Sequence, residues 1–216
     1  MVPEEEIMSS RGEEQSFISD ARRTQIIEAT IATLNEIGFV RASLAQIAKR
    51  AGISTALISY HFGDRMDLIN RTIQTLIEDN ASFVLERVKA GGDCHERLHL
   101  FITSSLEYQE TYPERFVALV EIVFNARTPD NTPYYKLNDD ADTEPLLLEL
   151  RTILRDGQVS GEFGEFDLMI MANTIQGAIG EYATPGVASR MDAASYGAEL
   201  VKIFDRAVLP SPVRRP

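Results

Sequence analysis

Apolar residues recur at helical spacing along nearly the whole chain, and no strict apolar–polar alternation lasts more than a few residues. The pattern predicts an all-α protein. Ile27, Ile31 and Leu34, with Ile26 and Ile37 beside them, form the stripe of a first helix over about 21–37, with Ser19 or Asp20 as its cap and Gly38-Phe39 as its stop. Leu44, Ile47, Ala48 and Ala51 lie on one face of a second helix. Ser43 and Gln46 open it as a capping box, and Gly52 allows a tight turn after it. Ser54 can cap a short third helix, Thr55 to Phe62, and Asp64 a long fourth from Arg65 to about Ala90. Gly91-Gly92 breaks the pattern. A fifth helix follows over about 93–111 and a sixth from Pro113 to about Arg127. Residues 128–145 read as loop, 145–156 as a seventh helix, and 156–166 as a turn-rich connection. Two last long helices are expected over about 166–183 and 188–208.

Composition and charge narrow the picture. The chain of 216 residues holds one cysteine, Cys94, which excludes an internal disulfide framework and a Cys-rich zinc site. No apolar run is long enough for a signal peptide or membrane span, so the expected location is cytoplasmic, with no membrane partner. The net charge is −12, which argues against nonspecific DNA binding by the whole molecule. Its distribution is uneven. Residues 20–65 carry Arg22, Arg23, Arg41, Lys49, Arg50 and Arg65 against Asp20, Glu28, Glu36 and Asp64, the only net-basic stretch. The expected organisation is a disordered acidic lead over 1–19, a helix-turn-helix domain over 20–65, a larger helical domain over 66–208 and a disordered tail over 209–216.

The second and third predicted helices with their glycine turn fit a helix-turn-helix, whose second helix enters the DNA major groove. The stretch "SLAQIAKRAGISTALISYHFGDRMDLI" resembles the TetR family of bacterial transcriptional regulators. The resemblance rests on Ser43, Ile47-Ala48, Ala51-Gly52-Ile53-Ser54, Tyr60-His61-Phe62, Arg65 and Leu68, and on the preceding "NEIGFVRAS". Two positions depart from it: Ser59 stands where many relatives carry a second tyrosine, and Thr55-Ala56 replaces the usual Lys, Pro or Gly types.

Thr55, Ala56, Ser59 and Tyr60 are the candidates for base contact, since methyls and hydroxyls can meet thymine methyls and base edges. Phosphate contacts are expected from Tyr60, His61, Arg65, Lys49 and Arg41, with the helix start at Ser43 adding amides. Arg22 and Arg23 can reach the backbone or minor groove or stay solvated. Two such units on a dimer are needed to read two half-sites of double-stranded DNA.

In the C-terminal region the resemblance implies a homodimer through the last two long helices, where Ala172, Gly177, Ala178 and Gly180 allow close approach. It also implies a small-molecule effector, mostly apolar, that releases DNA, with repression as the default. Phe101, Tyr108, Phe116, Phe124, Asn125, Met171 and Gln176 are the candidate effector contacts. No cofactor and no catalytic residue is expected. The rival reading is an all-helical metal-dependent enzyme or metal sensor built on "HERLH", where His95 and His99 share a helix face and Glu96 has the metalloprotease position. Against it, the sequence offers no third ligand nearby, and no bound metal is expected.

Overall fold

The computed structural model describes residues 4–136, 144–183 and 185–210. Among them the expected helices form, with shifted ends: α1 Glu4–Arg41, α2 Leu44–Ala51, α3 Thr55–Phe62, α4 Arg65–Val88, α5 Cys94–Thr111, α6 Pro113–Asn125, α7 Pro145–Ser160, α8 Leu168–Glu181, a short α9 Pro185–Ala188 and α10 Ala193–Val208. No strand occurs among the described residues. One isolated bridge pairs Arg127 with Pro133, and Tyr134–Lys136 forms a 3-10 turn within the expected 128–145 loop. The chain divides into two compact units, Met1–Thr75 with Val117–Tyr134, and Leu76–Phe116 with Tyr135–Pro216. Both α4 and α6 run through a division point.

In the first unit, α1 buries Ile26, Ile27, Ile31 and Leu34 as the periodicity predicts. Thr30 and Thr33 share that buried face, and each satisfies its hydroxyl on a carbonyl one turn back, Ile26 O at 2.8 Å and Ala29 O at 2.6 Å. One expectation for this helix changes: helical backbone starts at Glu4, within the stretch read as a disordered lead. The expected stop at Gly38 is present, with non-helical backbone (φ 74, ψ 165) that glycine adopts at little cost, and a separate helical turn follows to Arg41. The bend frees the Phe39 amide, which donates to Glu121 Oε2 of α6 at 2.8 Å.

In the second unit, α5 packs against α7, α8 and α10. Its core holds Leu98, Phe101, Ile102 and Leu106 of α5 with Leu150 and Ile153 of α7, all fully buried. Arg97 ties α5 to α7 through Glu149 (2.9 Å) and Asp156 (3.1 Å). The seventh helix runs one turn past its expected end. Gly157 sits inside it because the Phe163 ring occupies the place of a side chain there: a Cβ would lie 2.1 Å from the ring. The "DGQV" glycine is thus a packing residue, and the turn comes at Gly161 (φ 81). The last helix starts later than expected, at Ala193, because Asp192 caps it by accepting from the Ser195 amide at 2.7 Å. Within the expected tail, 211–216 lies outside the described residues.

Gly157→Ala should therefore overpack this core and lower stability by about 1–3 kcal/mol. A thermal melt checks it; an unchanged or raised Tm would contradict the packing role.

Candidate nucleic-acid interface and effector pocket

The helix-turn-helix is set by local chemistry. Ser43 accepts the Gln46 amide at 3.3 Å and opens α2; Ser54 accepts the Leu57 amide at 3.2 Å and opens α3. Between them Gly52 adopts the left-handed conformation (φ 67, ψ 32) that closes α2, and Ile53 N donates to Ala48 O at 3.0 Å. Gln25 of α1 reaches the last carbonyl of α2, donating to Ala51 O at 2.8 Å. Asp64 caps α4 through the amides of Met66 and Asp67.

These constraints orient α3. Ile58 and Phe62 point into the core, and Leu57 is half-buried. Thr55, Ala56, Ser59 and Tyr60 are all exposed, at offsets 0, 1, 4 and 5 that place them on one face. Tyr60 is the extreme case at 81% exposure, with its ring edge-on to His61 at 5.1 Å between centroids. The four proposed base contacts thus share one solvent-facing surface on a capped helix.

The cations divide differently from the sequence reading. Arg65 turns inward: its Nε donates to Ala42 O at 2.9 Å and its Nη2 to Phe39 O at 2.7 Å, while the guanidinium lies 4.4 Å from the centre of the Phe39 ring. Burial lowers its pKa, consistent with a group drawn away from solvent. In this conformation it clamps the α1–α2 joint. Arg50 likewise turns to α1, pairing with Glu36 and donating to Thr33 Oγ1 at 3.1 Å. Lys49 is exposed, in a shallow depression that it shares with Glu36, Ile37 and Gln46. Arg41 is exposed beside Ser43, with its Nε on Ile37 O at 2.9 Å. His61 lines a surface hollow with Arg23, Asp67 and Arg71. Arg71, an exposed cation on α4, belongs to this patch and escaped the sequence reading. Only its position two turns past Asp64 on a capped helix could have pointed to it.

The expected effector contacts are divided between the two units. Phe101 is fully buried in the core of the second unit, while Phe124 and Asn125 are exposed on the part of α6 that belongs to the first. Asn125 donates to Glu121 O at 3.0 Å. Phe116, Met171 and Gln176 are half-buried. Tyr108 lines a pocket of about 270 Å³ with Phe83, Tyr112, Ser82, Asp79 and Arg115. Its wall is aromatic: Phe83 meets Tyr108 at 5.4 Å and Tyr112 at 6.2 Å, and an Arg115–Asp79 ion pair of 2.7 Å closes one side. Of the small residues expected to allow close helix approach, Ala172 is buried and Ala178 half-buried. Gly177 and Gly180 are exposed, with nothing within 4 Å of where a Cβ would stand.

The "HERLH" segment lies on α5. Glu96, the base of a hydrolytic reading, instead closes the start of that helix. Its amide donates to Asp93 Oδ1 at 2.8 Å, and its carboxylate accepts from the Gly92 amide at 2.8 Å. The third group that the sequence did not offer is Asp205 of α10, whose Oδ1 lies 2.6 Å from His99 Nε2 and 3.5 Å from His95 Nδ1.

Residues 26–72 match the family model of bacterial regulatory proteins of the tetR family. The HTH-type transcriptional regulator BetI of Escherichia coli is 32% identical over 118 residues, which is 54% of this chain and 60% of that protein. BetI of Yersinia pestis is 46% identical over 69 residues, 32% of this chain and 35% of that protein. The alignments thus span less than two thirds of these curated relatives. Among solved structures, the transcriptional regulator FadR of Bacillus subtilis, in complex with stearoyl-CoA, superposes with a TM-score of 0.73 at 21% identity, covering 86% of this chain and 98% of that one. The TetR-family regulator PfmR of Thermus thermophilus gives 0.66 at 19%, covering 88% and 96%. At these identities the likeness is one of fold. With the capped helix-turn-helix inside it, the matched segment 26–72 is a DNA-binding segment of the bacterial tetR family, and the all-helical architecture is one that the chain shares with TetR-family regulators.

Proposed function

We propose that the protein is a cytoplasmic, ligand-responsive transcriptional repressor that binds a pseudo-palindromic DNA operator as a homodimer and is released by a small, mostly apolar effector. The observation that carries this reading is the exposed face of α3, where Thr55, Ala56, Ser59 and Tyr60 stand clear on a helix capped at both ends. Short neutral groups on that face suit close approach to base edges, and Arg41, Arg23 and Arg71 supply charge around it. Lys49 contributes less, because Glu36 shares its depression. Arg65 serves binding indirectly, by fixing the joint from which α2 and α3 project.

Dimer formation is supported by the outward faces of the last helices. Met169 and Ile170 of α8 and Ile203 of α10 are each more than half exposed, and Gly177 and Gly180 leave room for a second backbone. The aromatic pocket at Phe83, Tyr108 and Tyr112 is the place we assign to the effector, and FadR of B. subtilis with its bound stearoyl-CoA is a precedent for an effector with an apolar part. Release of DNA requires that the effector favour one of two conformations.

Selection of genomic fragments by the purified protein should enrich a short pseudo-palindrome, and Tyr60→Ala should weaken binding to it by about tenfold or more. If no sequence is enriched at moderate salt, the regulator reading fails. Arg65→Lys keeps the charge but loses the fork on two carbonyls. It should lower the Tm of the DNA-free protein by several degrees, whereas a pure phosphate contact would leave the melt unchanged and alter only the salt dependence of binding. Ile170→Glu with Ile203→Glu should shift the protein from dimer to monomer in sedimentation; a persistent dimer would place the interface elsewhere.

A further inference from the structure

We propose that His95, His99 and Asp205 form a binding site for a divalent transition-metal ion, with zinc as the reference case. The two histidines stand one turn apart on α5, and Asp205 arrives from α10, 106 residues along the chain from His99. One ligand atom from each lies within 4.8 Å of the others. Around a tetrahedral zinc with bonds of about 2.0–2.1 Å, neighbouring donors sit roughly 3.3 Å apart. The separations of 2.6 and 3.5 Å from Asp205 Oδ1 bracket that value, so small side-chain rotations suffice to admit the ion.

The surroundings favour a metal over a plain polar contact. The His95 ring is held edge-on by the buried Phe163 at 4.8 Å, which fixes its direction before any ion arrives. All three side chains are about one-third exposed, so an ion can enter and water can complete its shell. Two imidazoles with one carboxylate suit zinc, nickel, copper or cobalt, whereas magnesium and calcium prefer oxygen donors alone. Neighbouring groups are otherwise engaged: Cys94 is buried with its amide on Glu162, and Glu96 is committed to the helix start. An ion here would crosslink α5 to α10. The site does not depend on the DNA-binding reading.

The test uses the full chain stripped with chelator and titrated with Zn2+ by calorimetry and with Co2+ by visible absorption. One equivalent per chain is expected, with Co2+ ligand-field bands. His95→Ala, His99→Gln and Asp205→Asn should each weaken binding at least tenfold while far-UV circular dichroism stays unchanged. His99→Gln keeps a partner for Asp205, so a loss of metal affinity there is not a loss of fold. If the His95→Ala/His99→Gln double variant takes up Zn2+ as the unaltered protein does, or if neither binds it, the site is refuted and the group is an ordinary histidine–carboxylate contact.

Discussion

The DNA-binding half of this protein depends on a joint only a few residues long. After the bend at Gly38, the carbonyls of Phe39 and Ala42 and the amide of Phe39 are left without regular helical partners. One guanidinium, that of Arg65, takes both carbonyls, and one carboxylate, that of Glu121, takes the amide. Buried or half-buried backbone groups are costly when unpaired, so these contacts fix the angle at which α2 leaves α1. Ser43 follows at once, and with it the start of α2, the turn and α3. The direction of the exposed α3 face is therefore inherited from a hydrogen-bonded corner that lies outside that face.

This arrangement bears on how a chain of net charge −12 could present the proposed nucleic-acid surface. Cations in the helix-turn-helix do two separate jobs. Arg50 and Arg65 are consumed in holding the three helices together, while Arg23, Arg41 and Arg71 remain toward solvent. The α3 helix itself contains no Lys or Arg, so on the proposed function its fit to a groove would rest on shape and short side chains. Coulombic attraction would then come from the flanks, within reach of a Debye length of about 8 Å at physiological salt.

Local chemistry was readable from the chain; long-range pairing was not. Ser43, Ser54, Gly52 and Asp64 each act on residues two to four positions away, so their roles could be read from spacing alone, and with them the identity of α2, α3 and α4. The set Thr55, Ala56, Ser59 and Tyr60 is picked out by its methyl and hydroxyl groups on the third helix, and all four are exposed. Arg65 could not be read this way, because its partners lie 23 and 26 residues earlier, and a charge next to a recognition helix suggests phosphate first. Asp205 was hidden for the same reason, since only the packing of α10 on α5 brings it to the histidines. Gly157 looked like punctuation because glycine in a helix usually is; the ring that requires it stands six residues later. The aromatics of α5 and α6 proved the least informative, since core and cavity draw on the same residue types.

The edge-on packing of Tyr60 against His61 bears on the entropy of recognition. A side chain 81% exposed would ordinarily sample several rotamers and lose that freedom on binding, at a cost of about 0.5–1.5 kcal/mol. A neighbouring ring at 5.1 Å narrows those rotamers beforehand. With its helix capped at both ends and its most exposed side chain already restrained, α3 is a preordered surface that has little of this entropy left to lose to any partner.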